Sequence, residues 1–260
     1  MPPPTLSSPT PHLTLTPEPL TPAAFSPFGT AITSQLPRTT TTPPPPSTLQ
    51  ALHPIPVLAN QNSALKFSPI SPLDDNYAAC PSGRASAARM TMFSCFPRTL
   101  RASPRSSHRA VFDVRILERH PFTTQTFSPL DLSSQQTTGA QNVPEPYYLV
   151  IVAPSLKGST ARATTAAGEV VFVADPPDLS RVKAFVARGG QAVTYGPGTW
   201  HAPMVVVGDR RVDFLVVQFV NGVDSEDCQE VVFGEGLAVE VDRRVDGCGD
   251  GESKGVKARL

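Results

Sequence analysis

Pro203-Met-Val-Val-Val-Gly-Asp-Arg-Arg-Val-Asp-Phe-Leu-Val-Val-Gln-Phe-Val220 is the stretch that decides the fold class. Its runs Pro203 to Val207 and Val212 to Val220 are rich in β-branched and aromatic residues, which suit a pleated, half-buried surface. Val207-Gly-Asp-Arg-Arg-Val212 between them has turn composition and reads as a hairpin. The second run is mostly apolar, as expected of a strand buried on both faces. Working outward, similar runs recur at Ala88 to Phe96, Phe112 to Glu118, Tyr147 to Ala153, Glu169 to Ala174, Gln191 to Tyr195 and Glu230 to Phe233. Gly, Pro, Asn and Asp punctuate them. Thr21 and Pro22 predict the start of a single helical turn that Pro27 and Gly29 stop, with a strand opening at Ala31-Ile32. Asp178 to Ala187 reads as the one clear helix, with Leu179, Val182, Phe185 and Val186 at helical spacing and Gly189-Gly190 at its end. Many short strands with little helix predict an all-β barrel or two-sheet sandwich with short peripheral helices.

Composition frames this core. The chain has 260 residues, of which 40% are hydrophobic, so one sizeable core is within reach. Lys plus Arg is 22 and Asp plus Glu is 22, a balance that argues against nucleic acid or an anionic membrane surface as partner. No apolar run approaches the ~20 residues of a membrane-spanning helix, and the N-terminus lacks the pattern of a secretory signal. Cys80, Cys95, Cys228 and Cys248 are too scattered for a CxxC site and read as free thiols, as in the cytoplasm. More than half of the 30 prolines lie in the first 60 positions. Residues 1–12 and the Pro/Thr-rich stretch 36–54 therefore read as disordered or polyproline-like. The basic, Ser-rich 101–110 and the polar 131–146 read as further insertions, and 242–260 as a flexible tail. That leaves one domain over 13–241.

Three stretches carry polar groups inside strand-like sequence. Gln191 to Met204 ends a strand at Tyr195, turns through Gly196-Pro197-Gly198 and reopens at Trp200-His201. Leu117 to Leu130 sets His120 and Gln125 among the packing residues Phe122 and Phe127. Ala59 to Phe67 holds a lone Lys66. Buried polar groups need partners, or a substrate that supplies them.

FSPFGTAI (25–32), NQNSALKF (60–67), MTMFSCFPR (90–98), LERHPFTTQTFSPL (117–130), QAVTYGPGTWHAPMVVV (191–207) and VDFLVVQFVNGVDSEDCQEV (212–231) resemble, in order, the motifs of the ureidoglycolate lyase family, fungal type. The resemblance runs from about Leu13 to Val241, interrupted by the insertions. It implies a cupin-like double-stranded β-helix, a homodimer, and cleavage of ureidoglycolate to glyoxylate and urea in allantoin breakdown. That reaction needs a base at the hydroxyl, an acid at the departing nitrogen and a cation at the carboxylate. On this reading His120 and His201 are base and acid in an order left open, and Tyr195 is a further proton donor. Lys66 anchors the carboxylate, with Arg98 as its substitute. Gln125 meets the ureido group, and Trp200 walls the pocket. No HxH pair exists, but His120, His201 and an acid such as Glu118 can meet in a barrel, so a divalent metal such as nickel stays open. Two other functions stay open: an amidohydrolase releasing ammonia, and a non-catalytic cupin-like binding protein. The terminal Ala258-Arg259-Leu260 is a variant of a peroxisomal address, the alternative to a cytoplasmic location.

Overall fold

The structure, a computed structural model, describes residues 2–37, 39–130 and 147–242. The 131–146 insertion and the end of the chain from 243, with Cys248 and Ala258-Arg259-Leu260, lie outside the described residues. The fold is all-β, as expected, with strands in ten-, five-, four- and two-stranded sheets.

Tyr147–Ala153 organises the core, and all of its residues are buried. Tyr148, Val150 and Val152 join one apolar cluster with Phe127, Val193, Phe214 and Val216 of the five-stranded sheet. Leu149, Ile151 and Ala153 join a second with Ala110, Phe112, Leu237 and Val239, from the four-stranded sheet. Side chains alternate across a strand, so an unbroken apolar run needs cover on both faces. The ten-stranded sheet therefore lies between the other two.

Two strand neighbourhoods position the site. In the ten-stranded sheet, Ile116–Arg119 runs between Gln229–Val232 and Trp200–His201, and the latter borders Tyr147–Ala153. The five-stranded sheet runs Gly29–Ile32, Ala192–Tyr195, Gln125–Pro129, Val212–Val220, Ala87–Cys95, antiparallel throughout. Gly29 has φ +148, and a Cβ there would sit 2.0 Å from the Thr194 carbonyl oxygen, so only glycine lets this strand close against Ala192–Tyr195. The predicted helical turn is Pro22–Phe25, with the Thr21 hydroxyl accepting from the Ala24 N–H at 3.3 Å.

Several local expectations give way to long-range pairing. The helix expected over Asp178 to Ala187 is a 3₁₀ turn at Leu179–Arg181 followed by the strand Lys183–Arg188. That strand pairs with Tyr147–Ala153, placing Ala184 in one cluster and Phe185 with Ala187 in the other. Its short apolar run suits either period, and the strand partner settles it. Val207 to Val212 is not a hairpin: Val205–Val207 pairs with Tyr147–Ala153 and Val212–Val220 lies in the five-stranded sheet, so the turn crosses between layers. Val212–Val220 buries Val212, Phe214 and Val216 but leaves Asp213, Leu215 and Val217 half-buried, so it is not buried on both faces.

The segments read as insertions also hold structure. Residues 101–110 contribute Arg101–Ser103 and Ser106–Asp113, an antiparallel pair in the four-stranded sheet. Thr5–Leu6, within the stretch read as disordered, pairs with Thr160–Thr164 and Gln229–Val232. Residues 36–54 include a helical turn at Pro46–Leu49 with Leu49 buried. Gln35 brackets this excursion, donating from Nε2 to the His53 carbonyl at 2.5 Å and accepting the His53 N–H at 2.8 Å.

Candidate active site

The strand register brings the two distant histidines together. Glu118 stands opposite His201 in the antiparallel pair of Ile116–Arg119 with Trp200–His201. Directly opposed residues share a face. Alternation puts His120, two residues beyond Glu118, on that same side. The imidazole rings of His120 and His201 are 5.6 Å apart at 33°. The His201 ring stacks on that of Tyr195 from the facing sheet, 3.9 Å apart at 11°. Tyr195 in turn stands opposite Gln125, and Gln125 opposite Gln218.

Backbone carbonyls orient both imidazoles. His120 Nδ1 lies 2.6 Å from the Asp227 carbonyl and His201 Nδ1 3.0 Å from that of Thr199. A carbonyl only accepts, so each Nδ1 carries a proton and each Nε2 is the ring atom left facing the site. The glycine turn is part of the frame. Gly198, at φ +74, donates its N–H to the His120 carbonyl at 2.8 Å, and Thr199 Oγ1 donates to the Phe28 carbonyl at 3.0 Å. The Asp227 carboxylate is held by the Tyr77 hydroxyl at 2.6 Å and by the N–H groups of Asn221 and Gly222, each at 2.8 Å.

Four buried polar atoms here have no hydrogen-bond partner: His120 Nε2, His201 Nε2, the Tyr195 hydroxyl and Gln125 Oε1. They are four of the six such side-chain atoms among the described residues. Leaving a buried polar group unpaired costs about 1–3 kcal/mol, so such a cluster is a cost that a bound molecule removes. Gln125 is fixed in orientation, because its Nε2 donates to Gln218 Oε1 at 2.6 Å. Its free oxygen therefore asks for an N–H donor.

Burial, reinforced by the neighbouring His201, pulls His120 down to about 4, so it is neutral at neutral pH. Burial pushes the Glu118 carboxyl up, but the two histidines outweigh it and the net shift is downward. Glu118 Oε1 lies 3.4 Å from His201 Nε2, an ion-pair contact not aligned as a hydrogen bond. Burial lifts the Tyr195 hydroxyl well above its ordinary range, so it keeps its proton. Burial also pushes the Cys228 thiol up to about 12, with Glu118, Glu230 and Asp227 adding to it, which disfavours a thiolate nucleophile. Glu118, His120 and His201 offer ligand atoms all within 4.8 Å of one another. Two imidazoles with Nδ1 tied to carbonyls and one carboxylate are a donor set that suits a divalent transition metal.

Of the residues expected at the site, His120, His201, Tyr195 and Gln125 come together. Trp200 does not join them. It points away from its neighbour His201, is fully buried, donates Nε1–H to the Asp175 carbonyl at 2.9 Å and carries the Arg119 guanidinium 4.7 Å from its ring centroid. Successive residues of a strand face opposite ways, which puts a flanking tryptophan in the core. Arg98 is exposed with its guanidinium 5.2 Å from the Phe112 ring centroid. Lys66 is exposed on the two-stranded hairpin of Val57–Ala59 and Ala64–Lys66, which pairs with no other sheet. The sequence reading missed Gln218, Asp227 and Tyr77. Gln218 had a signal, as the one amide in an apolar strand. Tyr77 and Asp227 lie 150 positions apart and had none.

Comparison with known proteins points one way. A family profile described as ureidoglycolate lyase matches residues 12–240. A Schizosaccharomyces pombe protein named ureidoglycolate lyase is 34% identical over 173 residues, covering 66% of this chain and 75% of its own. A Saccharomyces cerevisiae protein of the same name is 31% identical over 186 residues, covering 68% and 78%. A Burkholderia mallei protein, also so named, is 30% identical over 224 residues, covering 86% and 92%.

Proposed function

The chain belongs to the ureidoglycolate lyase family, and on that premise we propose that it cleaves ureidoglycolate to glyoxylate and urea with His120 as base and His201 as acid. The cluster of unpaired buried atoms, His120 Nε2, His201 Nε2, Tyr195 hydroxyl and Gln125 Oε1, carries this reading.

The reaction is a retro-addition. His120 Nε2 removes the hydroxyl proton, the oxygen's electron pair forms the aldehyde carbonyl, and the C–N bond breaks towards the urea nitrogen. His201 delivers a proton to that nitrogen. Their environments support this assignment. His120, kept neutral by burial, accepts a proton at neutral pH. At His201, Nε2 faces the Glu118 carboxylate 3.4 Å away, which supports its assignment as the acid. The protonated Tyr195 hydroxyl donates to the substrate oxygens, and Gln125 Oε1 accepts from the ureido N–H groups. A paired acid and base of this kind supply about 10²–10⁴-fold in rate. A divalent ion such as nickel, if held by Glu118, His120 and His201, would occupy the same Nε2 lone pairs; it is therefore the alternative to the histidine acid–base pair and would polarise the substrate oxygens as a Lewis acid in its place.

The test is a product assay on metal-analysed protein given ureidoglycolate, following glyoxylate, urea and ammonia separately, before and after chelation. Glyoxylate with equal urea is the expected outcome. Ammonia in place of urea would make the chain an amidohydrolase, and no product above the spontaneous rate would make it a binding protein. Loss of activity on chelation, restored by a divalent ion, would assign the metal a role.

We also propose that two copies pair through the strand Ala87–Cys95. It is the edge of the five-stranded sheet and exposes Met90, Met92 and Phe93, with Phe96 just beyond. A long apolar edge with open backbone groups invites pairing, and two copies can join antiparallel about a twofold axis.

A further inference from the structure

A carboxylate substrate needs a cation or several N–H donors within reach. The residues gathered so far are Glu118, His120, His201, Tyr195, Gln125 and Gln218, and none is a fixed cation. The nearest arginine in sequence, Arg119, faces the other way. Its guanidinium lies over Trp200 and donates to Gln229 and to the carbonyls of Ala174 and Asp175. Lys66 and Arg98 lie where described above, neither of them among these groups.

The strand register supplies a cation. Tyr195 stands opposite Gln125, Gln125 opposite Gln218, and Gln218 opposite Arg89. Directly opposed residues project from one face, so these four side chains form a single row across four strands. The row begins under the His201 ring, which stacks on Tyr195, and ends at the edge strand Ala87–Cys95. Strands lie about 4.8 Å apart, which puts the Arg89 backbone roughly 10 Å from that of Gln125 and roughly 14 Å from that of Tyr195. An extended arginine reaches about 6 Å beyond its Cα. Its guanidinium can therefore stand over Gln218, leaving a gap to the catalytic groups of the size of a small acid. Arg89 is exposed, and no ion pair or hydrogen bond engages its guanidinium among the described residues. Pairing of two copies along the strand edge uses backbone groups and leaves the sheet face, with this side chain, open.

We infer that Arg89 is the carboxylate anchor of the site, binding the acid group of the substrate and of its glyoxylate product in a bidentate pair. The inference rests on the lyase reading for the identity of the substrate, but the anchor serves any small 2-oxo or 2-hydroxy acid placed on this row. A planar guanidinium matches a carboxylate with two parallel N–H donors, whereas an amide in its place keeps a donor and loses the charge.

The experiment compares wild type with Arg89→Gln, using Arg84→Gln as control. The Arg84 guanidinium lies by Gly222, away from the row. Arg89→Gln should raise KM for ureidoglycolate by roughly 10- to 100-fold, with kcat within about threefold, because it removes a charge-assisted hydrogen bond made alike in the ground state and the transition state. Arg84→Gln should leave both constants unchanged. Glyoxylate binding, measured by calorimetry, should weaken by at least tenfold in Arg89→Gln, while any binding of urea stays as in wild type. Equal glyoxylate affinity in the two proteins, or no glyoxylate binding by wild type, would overturn the anchor. Arg89-dependent glyoxylate binding in a protein that releases no urea would keep the anchor and discard the lyase.

Discussion

Replacing Trp200 by phenylalanine separates packing from catalysis at the turn Gly196-Pro197-Gly198. The indole is fully buried, donates to the Asp175 carbonyl at 2.9 Å and lies under the Arg119 guanidinium. A phenyl ring keeps most of the apolar contact and part of the cation–π attraction but vacates the space of the pyrrole. The lost transfer energy is about 2 kcal/mol, with a smaller cavity term. The lost hydrogen bond adds about 1 kcal/mol. The Asp175 carbonyl is not orphaned, since Arg119 Nη1 still donates to it at 3.0 Å. The sum is about 2–4 kcal/mol, or about 5–12 °C in Tm for a domain of this size. Catalysis should barely respond, because His201 is held through its own pairing with Glu118 and Val152. The assay is thermal unfolding beside steady-state kinetics, with kcat expected within about fivefold of wild type. A kcat lowered 100-fold or more with Tm unchanged would refute the reasoning and return Trp200 to the pocket wall.

Three further outcomes follow from the geometry. Tyr77→Phe removes one donor from the Asp227 carboxylate and loosens the carbonyl that orients His120. It should lower kcat by about tenfold at unchanged KM, and a fall in KM-limited binding instead would place Tyr77 at the substrate. The Glu226 carboxyl is held at about 2, first by the Ser82 hydroxyl and further by Asn221, against the opposing effect of burial. A depressed acid stabilises above its unfolded value and loses that contribution as pH falls through its folded one, so the gap in stability between wild type and Glu226→Gln should close from about pH 4.5 down to about pH 2. A gap that stays constant over that window would show that ionisation of Glu226 does not contribute to stability. For the proposed pairing of copies, Met92→Glu on the Ala87–Cys95 edge should halve the mass seen by light scattering, and a monomeric wild type would dismiss that interface.

Much of the fold was legible because it rests on local chemistry. Tyr147–Ala153 and Val212–Val220 have the bounds their β-branched runs suggest, and Thr21 caps its helical turn as a threonine before proline should. Asp178 to Ala187 was misread because the short apolar run Ala184 to Ala187 fits a helix stripe and a doubly buried strand equally well. What decided between them was the partner strand Tyr147–Ala153, farther back in the chain. Residues 101–110 looked like a polar insertion because Arg101–Ser103 is a short, half-exposed outer strand with little apolar content to announce it. At the site, His120, His201, Tyr195 and Gln125 were marked by being polar in strand-like sequence. Trp200 carried a similar mark for a different reason: its Nε1–H needs a buried acceptor, and Asp175 provides one.

By itself, then, the sequence determined the strand-rich class, the balanced charge and the polar residues that have no business in an apolar strand, because these depend on composition and on period-two alternation. Only the tertiary structure decided which of them share a face. Register set Glu118 against His201 and lined up Tyr195, Gln125, Gln218 and Arg89. Register is fixed by the packing of whole sheets, since slipping one residue would turn every buried side chain of a strand outward.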